Sequence, residues 1–148
     1  KTRKGFIKHF YGFLYALGGI VSINGEDFEK MNGYINNWGW GYEDNNLQYR
    51  AIEHDIKIIR NPFYRLGDNN ILHLFDNLKK QISKKEQDKK FIKNNLDGLN
   101  TIKNLEWSIN NEYINVHSFD TLYKIPKLNE TDMRELNKPS IVGKKMFM

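Results

Sequence analysis

The sequence predicts an α/β fold, a small mixed sheet flanked by helices, and three observations carry that prediction. Runs of β-branched and aromatic residues reach Ile23, Ile59, Ile109 and Phe119. Between them lie segments with helical caps and spacing, and Gly, Asn and Pro punctuate the boundaries. The 148 residues suit one domain, and a composition 39% hydrophobic and 14% aromatic can bury a core. The expected layout is one domain over 1–128 and a polar tail over 129–148, with strands near 13–23, 56–60, 105–109 and 113–119. Helices are expected near 25–32, 44–55 and in the seventies.

Each element has its own reason. The apolar run Phe10–Ile23 follows Lys1, Arg3, Lys4 and Lys8 and superficially resembles a targeting segment. It is followed by no small-residue cleavage site, and its 14 residues fall short of the roughly 20 that a bilayer core requires. A buried strand interrupted by a Gly18-Gly19 turn is the better reading, with no membrane span. Asn24 can cap a short helix bearing Asp27, Phe28 and Met31, which Gly33 ends. Residues 34–43 have no regular period and form a loop. In the next segment Leu47 and Ala51 fit a helix, and Glu43 and Asp44 sit at the positive end of its dipole. Ile56–Ile59 is a short strand closed by Asn61-Pro62. The apolar positions 71, 72, 74, 75, 78 and 82 suit an amphipathic helix, and the seven Lys between 79 and 93 a solvated basic surface. Leu105–Ile109 and Tyr113–Phe119 are strands about Asn110-Asn111.

Composition narrows the function. The chain has no Cys, which excludes disulfides, thiolate metal sites and cysteine nucleophiles. The net charge of +5 comes from 23 basic residues, of which 5 are Arg, the residue suited to bidentate phosphate and base recognition. A nucleic-acid partner is therefore not expected, although a polymer-binding role for the Lys-rich stretch is the alternative that salt dependence would reveal. One sequon, Asn129-Glu130-Thr131, is compatible with a secretory route.

The chemistry concentrates in Trp38-Gly39-Trp40-Gly41-Tyr42-Glu43-Asp44-Asn45-Asn46. A sugar site needs flat aromatic faces, acids for hydroxyls and backbone that can approach closely, and this loop offers all three. Its glycines also permit a change of conformation. The same residues could instead be core tryptophans beside an ordinary helix start.

The motifs Gly18-Gly19-Ile20-Val21-Ser22-Ile23, Phe28, Met31-Asn32-Gly33-Tyr34, Asn36-Asn37, Trp38-Gly39-Trp40-Gly41, Glu43-Asp44 and Arg50 resemble the C-terminal half of β-1,4-galactosyltransferase-type glycosyltransferases. The match has one residue missing between Asn37 and Trp38. Asn95-Leu96-Asp97-Gly98-Leu99-Asn100 is similar to the family's DGLN segment, so the resemblance covers about Phe13 to Ile109. It implies the acceptor-side part of a GT-A fold, a metal-dependent inverting transferase, a UDP-sugar donor, a glycan acceptor and Mn²⁺. By position it implies Asp44 as general base, Glu43 orienting the acceptor or the loop, and Trp40 touching donor and acceptor. Gly41 and Tyr42 continue that loop, and Gly18 and Gly19 let backbone approach the donor beside Phe13. His73 falls near the family's late metal-binding histidine.

Departures qualify the resemblance. Asn45 stands where the family has an acceptor-contacting acid. Tyr42 replaces the loop's second glycine, and the Met that accompanies the metal-binding histidine has no counterpart. Ala16 stands where galactose-transferring members carry Tyr, which leaves room for a 2-acetamido group on the donor. No Asp-x-Asp occurs, so the nucleotide and metal are expected to be held by a missing N-terminal half or a partner chain. A truncated sheet is also expected to self-associate. A non-catalytic glycan-binding half-domain is the alternative within the same resemblance.

Overall fold

The computed structural model describes residues 1–36, 41–72, 79–83, 93–122 and 131–135, with 79–83 and 131–135 described by backbone alone. Strand β1 (Phe6–Gly12) is the centre of the sheet that positions the site. It pairs antiparallel with β2 (Ile20–Ile23), with Ile7 opposite Ile23 and His9 opposite Val21. Its other edge pairs in parallel with β3 (Lys57–Ile59) and, further along, with β4 (Tyr64–Arg65). The sheet is therefore mixed, with β1 between β2 and β3.

The strand expected over 13–23 is instead split. Residues 6–12 and 20–23 form two strands, and 13–19 is a loop. The Leu17 amide explains the break: it donates to the Asp44 carbonyl at 3.0 Å, so the loop is tied to a helix rather than to a neighbouring strand. A register shift between His9 and Tyr11 turns the chain out of the ladder just before that loop.

Helix α1 (Gly25–Lys30) begins where Asn24 accepts a hydrogen bond from the Glu26 amide, the cap read from sequence. Helix α2 (Glu43–Glu53) opens with both acids in its first turn. Ile7, Leu17, Met31, Leu47, Ala51 and Ile56 form the buried core between sheet and helices, with Val21, Ile23, Phe28, Tyr34 and Ile58 packed around it. Each fully buried Leu, Ile or Met here stabilises the fold by about 1.5–3 kcal/mol.

The strands expected near 105–109 and 113–119 are present as β6 (Lys103–Asn110) and β7 (Tyr113–Asp120), numbered after β5 (Lys79–Ser83) in chain order. They pair with each other as a separate antiparallel ribbon instead of extending the main sheet. Strand β5 pairs with β8 (Thr131–Glu135), so part of the expected basic surface segment and part of the expected tail are strands. Their pairing spans about fifty residues of chain, which local periodicity cannot register. The helix expected in the seventies falls on 73–78, outside the described residues; before it, Asp68 and Ile71 close a turn. Among the described residues, no helix is long and apolar enough to cross a membrane.

Candidate active site at the start of the second helix

Helix α2 presents Asp44 to the loop between β1 and β2. The Asp44 side chain is half-buried and lies directly on Gly18: a Cβ at Gly18 would sit 2.1 Å from Asp44 Oδ2 and 2.8 Å from its Cγ. Only a residue without a side chain lets the carboxylate rest there. Gly19 has φ +82°, and a Cβ on it would meet the Tyr11 carbonyl oxygen at 2.3 Å. The two glycines therefore have separate tasks, one admitting a carboxylate and the other making a turn. The space above Gly18 is taken by Asp44 rather than left open.

Glu43 folds back on the loop before α2, where its Oε2 accepts the Gly41 amide at 2.8 Å. That contact ties the acid to the residue before Tyr42. Tyr42 joins loop to helix in the left-handed region at φ 62°, a conformation that suits the glycine of the resembling family better than a tyrosine. Asn45 donates through Nδ2 to the Tyr15 carbonyl at 3.0 Å, a second tie between α2 and the 13–19 loop. Phe13 is exposed and stacks on Tyr15 with ring centroids 5.1 Å apart. Ala16 is buried and does not front an open surface. Trp38, Trp40 and His73 lie outside the described residues.

Tyr34 joins the site from the core side. Burial first, then the negative charges of Asp44 and Glu43, push its hydroxyl above the usual tyrosine range, which puts both carboxylates within electrostatic reach of one phenol. His9, Arg60 and Gln48 also surround the site and were not singled out from sequence. A signal for His9 existed: Ile7, His9 and Tyr11 alternate along β1, and all three are buried.

Other motif residues build the frame. Arg50 is buried and donates to the carbonyls of Asn32 at 3.0 Å, Gly33 at 2.7 Å and Asn94 at 2.7 Å, and also to that of Asp97. The buried Asp97 carboxylate in turn accepts the Asn36 amide at 2.8 Å and the Thr101 hydroxyl at 2.7 Å. Among the described residues no group of three or more His, Asp or Glu side chains could hold a metal ion.

A half-buried carboxylate at a helix start thus lies against a glycine loop of a mixed sheet. Residues 7–74 match the family model described as the N-terminal domain of galactosyltransferase. The chain is 46% identical over 68 residues to "Beta-1,4-galactosyltransferase 4" of Homo sapiens, covering 45% of this chain and 19% of that relative. It is 49% identical over 47 residues to the Cricetulus griseus protein of the same name, covering 30% and 14%. A longer match, 32% over 137 residues, joins it to "Beta-1,4-galactosyltransferase 5" of Mus musculus, covering 84% and 31%. No solved structure matches. The chain is thus similar to parts of galactosyltransferases, and it spans 14–31% of the length of these relatives. The family model's description names an N-terminal domain, so it does not bear out the C-terminal assignment expected from the motifs.

Proposed function

We propose that this chain carries the acceptor-side, base-bearing part of an inverting glycosyltransferase with a GT-A fold, which moves a hexose or N-acetylhexosamine from a UDP-sugar to a glycan acceptor. The observation that supports this reading most directly is the Asp44 carboxylate resting on Gly18. In the reaction an acceptor hydroxyl oxygen forms a bond to the anomeric carbon as the bond to the diphosphate breaks. The electron pair of the broken bond leaves with the diphosphate, and the hydroxyl proton passes to Asp44. Glu43, held against the Gly41 amide, keeps the loop before α2 in place.

The nucleotide would be held elsewhere, in a missing N-terminal half or a partner chain, because no Asp-x-Asp occurs in the sequence. Mn²⁺, the cation the resemblance implies, would draw its ligands from that half and from His73. The assignment to the C-terminal half rests on the same motifs, with Glu43-Asp44 following the double-tryptophan loop.

The test is Asp44→Asn. Transfer from UDP-galactose or UDP-GalNAc to a GlcNAc-terminated acceptor, with Mn²⁺ and any required partner half present, should fall about 10²–10⁴-fold while the fold is retained. Unchanged transfer would reject Asp44 as base. Oligosaccharide binding without nucleotide or metal, unaffected by Asp44→Asn, would make the chain a glycan-binding module.

A further inference from the structure

A ring of contacts closes around the start of α2 through His9. This residue is fully buried in β1, and its Nε2 lies 2.9 Å from both the Tyr11 and the Gly18 carbonyl oxygens. Two acceptors require Nε2 to carry the proton. On the far side of the ring, Arg60 Nε donates to His9 Nδ1 at 3.1 Å, so Nδ1 accepts and the imidazole is neutral. Arg60 Nη2 then donates to Gln48 Oε1 at 2.7 Å. Gln48 stands one turn along α2 from Asp44, on the same side of the helix. Asp44 completes the circuit against Gly18.

We propose that His9 is a positioning residue for sugar transfer: as a neutral imidazole with its proton on Nε2, it holds the Gly18 carbonyl and so keeps the glycine under the Asp44 carboxylate in register with α2. This rests on the reading of Asp44 as the base. Among the described residues the groups facing His9 are the Arg60 guanidinium, the Tyr11 and Gly18 carbonyls, and the Phe63 ring, whose centroid is 4.9 Å away. A proton on Nδ1 would set a second donor and a like charge against Arg60, opening the ring at that contact. Burial first, and the Arg60 charge, hold the His9 pKa below the ordinary histidine range against the pull of the two carbonyls.

Two substitutions in the full chain, assayed with the partner half that Asp44 activity requires, separate the two sides of the imidazole. His9→Gln can place an amide donor where Nε2 stood and keep the Gly18 contact. His9→Asn reaches only the Nδ1 position, so it keeps an acceptor for Arg60 and leaves the carbonyls without a donor. Normalised to folded protein, kcat should stay within about threefold for His9→Gln and fall roughly 10–100-fold for His9→Asn, with acceptor KM unchanged. The Asp44 carboxyl ¹³C resonance should move in His9→Asn and not in His9→Gln. A His9→Asn protein with the wild-type kcat and Asp44 resonance overturns the proposal. If the wild type transfers no sugar, the base assignment falls, and the Asp44 resonance alone decides whether His9 sets that carboxylate. If neither variant folds, ¹⁵N spectra of the wild type decide: a proton on Nδ1 instead of Nε2, or an acid limb of kcat that misses the His9 titration, rejects the proposal.

Discussion

One methyl group at Gly18 should separate catalysis from folding. Gly18 is not among the glycines of positive φ, so alanine suits its backbone. The new Cβ would stand 2.1 Å from Asp44 Oδ2, where ordinary contact begins at 3.4 Å, so the carboxylate must withdraw by about 1.3 Å. Asp44 can do this by turning about its own side-chain bonds, at a cost of about 0.5–1.5 kcal/mol if it ends off-rotamer. The turn itself therefore costs stability only about that much. Rate should suffer far more, because a misplacement near 1 Å costs on the order of 10²-fold. Gly19→Ala is the control. Its Cβ would meet the Tyr11 backbone oxygen at 2.3 Å with φ at +82°, so about 1–3 kcal/mol of stability should be lost instead. The assay pairs urea unfolding with transfer rate per folded protein. Gly18→Ala combined with Asp44→Asn should lose no more rate than Asp44→Asn alone. If Gly18→Ala transfers within about threefold of wild type, the argument that Gly18 seats a catalytic carboxylate is wrong.

Other consequences are open to direct measurement. Arg50→Met leaves several buried carbonyls without their donor and should cost about 3–5 kcal/mol, read as a lower urea midpoint or failure to fold; a loss under about 1 kcal/mol would show the clamp to be dispensable. Because His9 has a depressed pKa in the fold, its stabilising contribution is complete above the ordinary histidine range and is lost as pH falls through the folded value. Urea midpoints should therefore drop between pH 7 and pH 5 more in the wild type than in His9→Gln, and equal drops would contradict this. Trp107, Ile109, Ile114 and Val116 are more than half exposed and cross-strand neighbours on the β6–β7 ribbon, so the chain should self-associate. Trp107→Ser with Ile109→Asn should return it to monomer in sedimentation runs, and an unchanged distribution would exonerate the ribbon.

The parts of the fold that sequence made legible are local. Asn24 capped its helix as its side chain required, α2 began at its acids, and Ile56–Ile59 gave a strand within one residue of its expected bounds. What escaped depended on distant partners. The break after Gly12 depends on an amide of the loop preferring Asp44 to a strand, and the β5 strand depends on a partner near residue 133. At the site, the contact of Glu43 with Gly41 is local in sequence, whereas Asp44 meets Gly18 only because the 13–19 loop folds back onto α2. His9, Arg60 and Gln48 could not be read from sequence, since each is unremarkable in its own segment and they meet only when β1, the chain after β3, and α2 are packed together.

The spacing of the motif residues along α2 explains why a single helix carries so much of it. Residues four apart share a face, and each such pair serves a different neighbour. Leu47 and Ala51 enter the core. Asn46 and Arg50 both donate to the Asn94 carbonyl, tying α2 to the segment that carries Asp97. Tyr49 and Glu53 bond each other at the surface, where Glu53 also receives Asn95. Asp44 and Gln48 form the remaining pair, one on Gly18 and the other on Arg60, and those two contacts are the ends of the path through His9. A helix pinned on three faces cannot rotate to relieve a change on the fourth. The position of the Asp44 carboxylate is thus set by Arg50 and Leu47 as firmly as by Gly18, which is why so much of the motif consists of residues that hold Asp44 still.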